Sequence, residues 1–282
     1  MTLAPWIVVA IFAGLASNLG SFFFRHILKD GDDSTAYAWL FEAMRLVIFL
    51  LISIFNFRLI FSFSSLLTLV GLGIIELVSV FFMMKMHAYS HLSISTIILR
   101  TRLIWIPLIA FILFRESLTL YEYIGIIVLF LGLSIATASK NMSADRGMIY
   151  AYITAFTTAL VNIYLKLAAP FASTSVIMVF MSLPSVIFFP MVMKSSQFRL
   201  KQMCTKNFKT KLLSGFINAC SLYLLAAAVA IGPVSKVSAI YQGMMVVSIF
   251  AGIIFLHETQ NVGKKIIGSI ITTIGVLLLT ST

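Results

Sequence analysis

Phe111-Ile112-Leu113-Phe114-Arg115-Glu116 and Ile253-Ile254-Phe255-Leu256-His257-Glu258 are one pattern written twice, about 142 residues apart. Each is the apolar end of a helix closed by a polar corner that carries a Glu. Each corner leads into a second apolar run with two glycines seven residues apart, Gly125 and Gly132 in the first copy, Gly268 and Gly275 in the second. A duplicated unit with an odd number of membrane crossings must insert in opposite orientations. Inverted repeats of that kind build a central site near the bilayer midplane, between their halves.

The rest of the composition agrees with a bilayer environment. Hydrophobic residues are 61% of the 282-residue chain and charged residues 10%, against about 25% charged in soluble domains. The two cysteines, Cys204 in a basic joint and Cys220 in an apolar run, give no disulfide framework and no metal spacing. The first apolar run, Pro5 to Phe24, has no basic segment before it and no small-residue cleavage site, so it reads as a retained helix. A window of about 20 residues gives ten candidate spans, at roughly 4–24, 35–55, 65–86, 92–114, 119–139, 147–166, 174–193, 211–231, 235–256 and 262–281. Backbone groups in lipid must be satisfied within the segment, so these spans are helices. The expected fold is an all-α membrane protein. Its ten transmembrane helices form two inverted five-helix repeats around a central cavity, residues 1–141 and 142–282. Cations on the odd-numbered connections outnumber those on the even ones thirteen to four, which favours odd connections in the cytoplasm and both termini outside.

The repeated helix–Glu–helix–Gly units resemble the tandem EamA repeats of the drug/metabolite transporter superfamily, over essentially the whole chain. The polar tail of the first helix in each half (Arg25, Lys166) and Arg45 in the second helix fit the same pattern. The resemblance implies ten helices around a central cavity and transport of a small metabolite without ATP. Alternating access of the two halves is the expected mechanism, no cofactor is expected, and the bacterial cytoplasmic membrane is the expected location. The resemblance also implies termini in the cytoplasm, against the loop charges. Amino acids, nucleotide conjugates, sugars and drugs are all carried in the superfamily, so it names no substrate.

Charges inside the spans are the candidates for naming one. Glu42, Arg45, Glu76, Arg100 and Arg102 all lie away from the span ends. A charge near the bilayer centre costs at least about 2.5–3.5 kcal/mol on insertion scales, so these five must face a wet cavity or one another. The hairpin centred near Tyr89 sets Glu76 and Arg102 at one height. The hairpin centred near Ile60 sets Arg45 beside Glu76 in depth, with Asn18 slightly off that level. Arg100 and Arg102 point about 200° apart on a regular helix, so one should face the cavity while the other pairs with a neighbour, Glu76 being the obvious partner. Three arginines against two glutamates leave surplus positive charge, which suits a carboxylate or phosphate held by paired hydrogen bonds. The expected cargo is an organic anion or a zwitterion held by its carboxylate, such as an amino acid or a phosphorylated or nucleotide-type metabolite. The alternative is that the five are structural ion pairs locking helices together.

Laid on the 142-residue offset, Glu76 falls on Asn218 and Arg100 on Gln242, beside Tyr241. The expected substrate-binding set is therefore Arg102, Arg100, Arg45, Glu76, Asn18, Asn218, Tyr241 and Gln242, lined by spans 1, 3 and 4 and their counterparts 6, 8 and 9. Spans 5 and 10 should buttress the halves from behind. Glu76 and Glu42 are the candidates for proton coupling. Asn218 and Gln242 are equally explained by bonds to neighbouring helices. Trp39, Trp105, Tyr223 and Tyr241 offer stacking surfaces, with packing the simpler account. Glu116 and Glu258 are read as caps for nearby N–H groups, the spaced glycines as close-contact points, and Lys236 as an anion guide or a snorkelling side chain. Pro107 and Pro184 should bend their helices.

Other functional classes fare worse. His257-Glu258-Thr259-Gln260-Asn261 begins like a zinc-protease motif but lacks its second His. All four Asp residues lie in connections, and no Gly-flanked Ser suggests a nucleophile, so an enzyme is not expected. His87 and His91 share a face but have no acid near them in sequence, so no metal site is expected. An exporter of cationic or hydrophobic drugs and a lipid-phosphate flippase are the competing transport readings. The expected partners are a small-molecule substrate and the lipid bilayer, with a homodimer allowed. Nucleic acid is not among them: the basic 194–211 joint and the orientation bias account for most of the net charge of +11.

Overall fold

Several helices begin where the sequence supplies a capping side chain. Asp33 accepts hydrogen bonds from the N–H groups of Thr35 and Ala36 at the start of a helix over Ser34–Phe55. Ser62 and Ser65 cap one another reciprocally at the entry to Phe63–Tyr89. Thr119 and Glu122 form a capping box before Leu120–Thr137, with the Glu122 carboxylate accepting from Thr119 N–H at 2.7 Å. Such caps satisfy the donors that a helix end leaves unpaired.

The structure is a computed structural model that describes residues 4–29, 33–89, 97–137, 147–205, 208–255 and 261–280, without the side chains of 21–29, 34, 87–89, 248, 251, 252, 254 and 255. The second corner (His257, Glu258), His91 and the side chains of Arg25 and His87 therefore lie outside the described residues. In chain order the helices are α1 (Pro5–Lys29), α2 (Ser34–Phe55), α3 (Phe63–Tyr89), α4 (Arg102–Phe114), α5 (Leu120–Thr137) and α6 (Gly147–Ala168). They continue as α7 (Thr174–Val192), α8 (Ser196–Thr205), α9 (Phe208–Ile231), α10 (Val234–Gly243), α11 (Met245–Phe255) and α12 (Val262–Thr280). Eight helices among the described residues are long and apolar enough to cross a membrane, and Pro5–Gly20 adds a shorter apolar stretch. The protein is an all-helical, multi-pass integral membrane protein.

Three departures from the expected spans have local causes. The expected fourth span leaves α-helical register at Arg100 and Thr101, whose N–H groups reach back only three residues, to the carbonyls of Ile97 and Ile98. The expected ninth span breaks at Met244, between α10 and α11. The long basic joint holds a short helix, α8, whose last turn is closed by the buried Lys211 donating from Nζ to the Met203 carbonyl at 3.2 Å.

Helix pairing repeats itself between the halves. α1 packs along α9, and α6 along α3; α2 packs on α7, and α5 on α12. The α5–α12 seam is antiparallel and built on glycine. A Cβ at Gly132 would lie 2.5 Å from Thr272 N and 2.8 Å from Gly268 O, and one at Gly275 would lie 2.8 Å from Gly125 O. With no side chain at these points the two backbones touch directly, which is how helices associate where lipid removes the hydrophobic drive. Some small polar residues of the other seams bond between helices: Ser79 bonds Thr158, Ser221 donates to Ala13 O, and Ser238 donates to Asn162.

Candidate functional site

Arg100 and Arg102 both line one cavity of about 130 Å³. A regular helix would point them well apart; the chain leaves α-helical register at Arg100–Thr101, and both residues border the cavity. α1 contributes Ser17 and Asn18, the turn before α4 contributes Leu99, and α10 and α11 contribute Tyr241, Gln242 and Met245. Its walls therefore come from the expected spans 1, 4 and 9. Spans 3, 6 and 8 contribute nothing to its described lining; Ser79, Thr158, Asn162 and Ser221 on them are held in the interhelix bonds described above.

The lining is fixed from several directions. Gly14 lets α1 approach α10 closely, since a Cβ there would sit 2.5 Å from the Tyr241 carbonyl. Tyr241 donates its hydroxyl to Ser17 Oγ at 2.8 Å, and Asn18 bonds back to Gly14 O at 2.7 Å. Arg100 reaches Gln242 Oε1 at 3.5 Å from Nη1 and meets Met245 Sδ through Nη2. Arg102 Nε and Gln242 Nε2 are buried without a hydrogen-bond partner. The described lining thus combines two guanidinium groups, neutral acceptors and donors, and no carboxylate.

Arg45, Glu76 and Asn218, expected beside the cargo, do not line this cavity. Arg45 is buried between two carboxylates, 2.5 Å from Glu42 and 3.3 Å from Glu76. Glu76, expected to pair with Arg100 or Arg102, pairs with Arg45 instead. Asn218 sits on α9 against Gly20 of α1, with its Oδ1 buried and unpartnered. Of the aromatic candidates only Tyr241 faces the cavity. Trp39 donates to Val186 O, Trp105 packs edge-on against Phe156, and Tyr223 stacks on Phe49.

Two polar corners do something that local reading missed. Glu116 caps a helix, but a distant one: its carboxylate accepts from Val234 N–H at 2.9 Å and from Ser235 N–H and Oγ at 3.3 and 2.9 Å. Lys166 joins the same end by donating to Gly232 O at 2.7 Å. Lys236 neither snorkels nor faces the cavity; it is ion-paired with Glu122, a buried carboxylate overlooked in the sequence, although the Thr119-x-x-Glu122 spacing signalled its cap.

Comparison with known proteins completes the picture. A solved structure described only as "Crystal structure of protein" superposes with a TM-score of 0.77 at 12% identity, covering 99% of this chain and 99% of that one, which shows a shared fold. No curated protein matches the chain. The EamA-like transporter family matches twice in tandem, over residues 4–138 and 145–281, and the chain belongs to that family.

Proposed function

We propose that this protein is a secondary transporter that carries a small organic anion, or a zwitterion held by its carboxylate, by alternating access across a bacterial cytoplasmic membrane. The observation that carries the reading is the pairing of Arg100 and Arg102 on one cavity whose described lining holds no carboxylate. Guanidinium groups grip carboxylates and phosphates through paired hydrogen bonds, and a cationic drug would meet two like charges there. Tyr241, Gln242 and Asn18 supply neutral polar groups for the rest of the cargo.

The alternating-access part rests on inverted repeats of five spans each, meeting near Asn141. The antiparallel α5–α12 seam supports it, because Gly125 faces Gly275 while Gly132 faces Gly268. Corresponding helices that cross antiparallel are related by an axis lying in the membrane plane, the symmetry of inverted repeats. The breaks at Arg100–Thr101 and at Met244 support it too, since on the repeat offset they fall next to one another in the two halves.

Thermal stabilisation of the purified protein by matched anionic, zwitterionic and cationic solutes tests the reading. Anions or zwitterions should stabilise the wild type. Arg102→Ala should remain folded and lose at least about tenfold in apparent affinity, since a hydrogen bond to a charged group contributes about 1.5–3 kcal/mol. Stabilisation by cations alone would overturn it.

A further inference from the structure

We propose that Glu42, Arg45 and Glu76 form a proton-binding site, separate from the cargo cavity, through which transport is coupled to protons. The inference rests on the carrier reading above for its purpose, but its geometry is independent of the cargo.

The three residues are 0%, 1% and 8% exposed. One guanidinium is shared by two carboxylates, with Arg45 Nη1 contacting Glu42 Oε1 and Glu76 Oε1. With both carboxylates ionised, a dry cluster carries one uncompensated negative charge, and buried charge without compensation is strongly unfavourable. A proton taken from water onto one carboxylate oxygen forms an O–H bond and leaves one acid, one carboxylate and one guanidinium, a neutral set. Glu42 Oε2 is buried without a hydrogen-bond partner, and Ser182 of α7 stands beside that carboxyl as a ready acceptor for such an O–H.

No other charge among the described residues takes over this role. The groups acting on the two carboxyls are Arg45, each other and Ser182; α6, α8 and α9, which also pack against α2 or α3, bring no ion-pairing side chain to them. Arg199 of α8 is paired with Asp33, and Glu122 is neutralised by Lys236. The cargo cavity has no carboxylate in its described lining, so proton and anion bind at different places and do not compete for one group.

The position suits coupling. α7, from the second repeat, packs on both α2 and α3 of the first, so the charge of the cluster is felt at a seam between the halves. On the 142-residue offset its members fall on Pro184, Ile187 and Asn218, none of which titrates. The described residues therefore hold one such site rather than two, and the expected stoichiometry is one proton per cycle.

Infrared difference spectra of the full-length protein in lipid nanodiscs, taken between about pH 8 and about pH 5, read the site directly, since ordinary carboxyls remain ionised over most of that range. A protonated-carboxyl C=O band should appear on acidification. Glu76→Gln and Glu42→Gln should each remove or shift it, while Arg102→Ala should leave it in place. Absence of the band in the wild type, or its persistence unchanged in both Glu variants, would overturn the proposal; the wild-type spectrum decides even where a variant fails to fold. Because no cargo is present, this result is independent of the solute panel. A titrating cluster with no anion binding would sink the cargo reading alone, and anion binding with a silent cluster would sink the proton site alone.

Discussion

Arg100 and Gln242 stand 142 residues apart, at corresponding places in the two repeats, and they touch: Arg100 Nη1 lies 3.5 Å from Gln242 Oε1. Two equivalent residues that meet each other must lie close to the symmetry axis relating their halves. On the inverted-repeat, alternating-access reading proposed above, the cavity beside them is axial, where a rocking of the halves would expose a cargo to either side with the least displacement. The axis is pseudo-symmetric in chemistry, with a cation on one side and a neutral amide on the other. A cargo with one anionic end and one hydrogen-bonding end would take a single orientation there.

Arg45 and Arg102 should behave differently when truncated. Arg45→Ala leaves two buried carboxylates facing each other, and breaking a buried pair costs about 3–5 kcal/mol. The expected outcome is a sharp loss of folded yield and a lowered melting transition in detergent, partly restored by Arg45→Lys. An Arg45→Ala protein that melts like the wild type would show that Glu42 and Glu76 do not depend on that cation.

The glycine seam predicts a steep position dependence. Gly132→Val drives a side chain into the Thr272 backbone, and overpacking costs about 1–3 kcal/mol even where neighbours can yield. Gly263 lies on the same α12 helix as Gly268 and has nothing within 4 Å of its Cβ position. Gly263→Ala should change stability by less than about 0.5 kcal/mol. Equal melting temperatures for the two variants would mean that α5 and α12 do not hold this contact.

Glu116 ties the α4–α5 corner to the first turn of α10. Glu116→Ala removes the acceptor for the Val234 and Ser235 N–H groups, and losing a cap costs about 0.5–2 kcal/mol. Amide hydrogen exchange at Val234 and Ser235 should accelerate, with the rest of α10 and the α5–α12 seam little changed. Unaltered exchange at those two amides would refute the long-range cap.

The Asp33–Arg199 ion pair lies outside the spans and gives a pH dependence of known sign. Burial works against the charge on Asp33, but the Arg199 hydrogen bond and charge, with the N–H groups of Ala36 and Thr35, hold its carboxyl below the ordinary carboxylate value. A depressed native pKa contributes stability that is full above the unfolded value of about 3.9 and is lost as pH falls through the native one. Asp33→Asn keeps a capping side chain while deleting the charge. It should cost less than about 1 kcal/mol near neutral pH and flatten the acid limb of the melting curve. Added salt should weaken the wild type more than the variant.

Hydropathy, the doubled Glu corner and the spaced glycines determined a great deal in advance: a helical membrane protein, the tandem repeat, and five intramembrane charges that had to face a wet cavity or one another. These are properties of segments, fixed by what lipid tolerates along a single helix. Tertiary structure alone decided who partners whom. Counting residues puts Glu76 and Arg102 at one height, yet it is Arg45 that pairs with Glu76, and with Glu42 on its own helix. Arg100 and Arg102 share a cavity where the chain leaves α-helical register, a local break that a regular projection does not carry. Glu116 caps a helix 118 residues away because the fold brings that N-terminus to its corner. Depth can be read from counting residues. Rotation about a helix axis, and the neighbour it faces, depends on packing that no single segment contains.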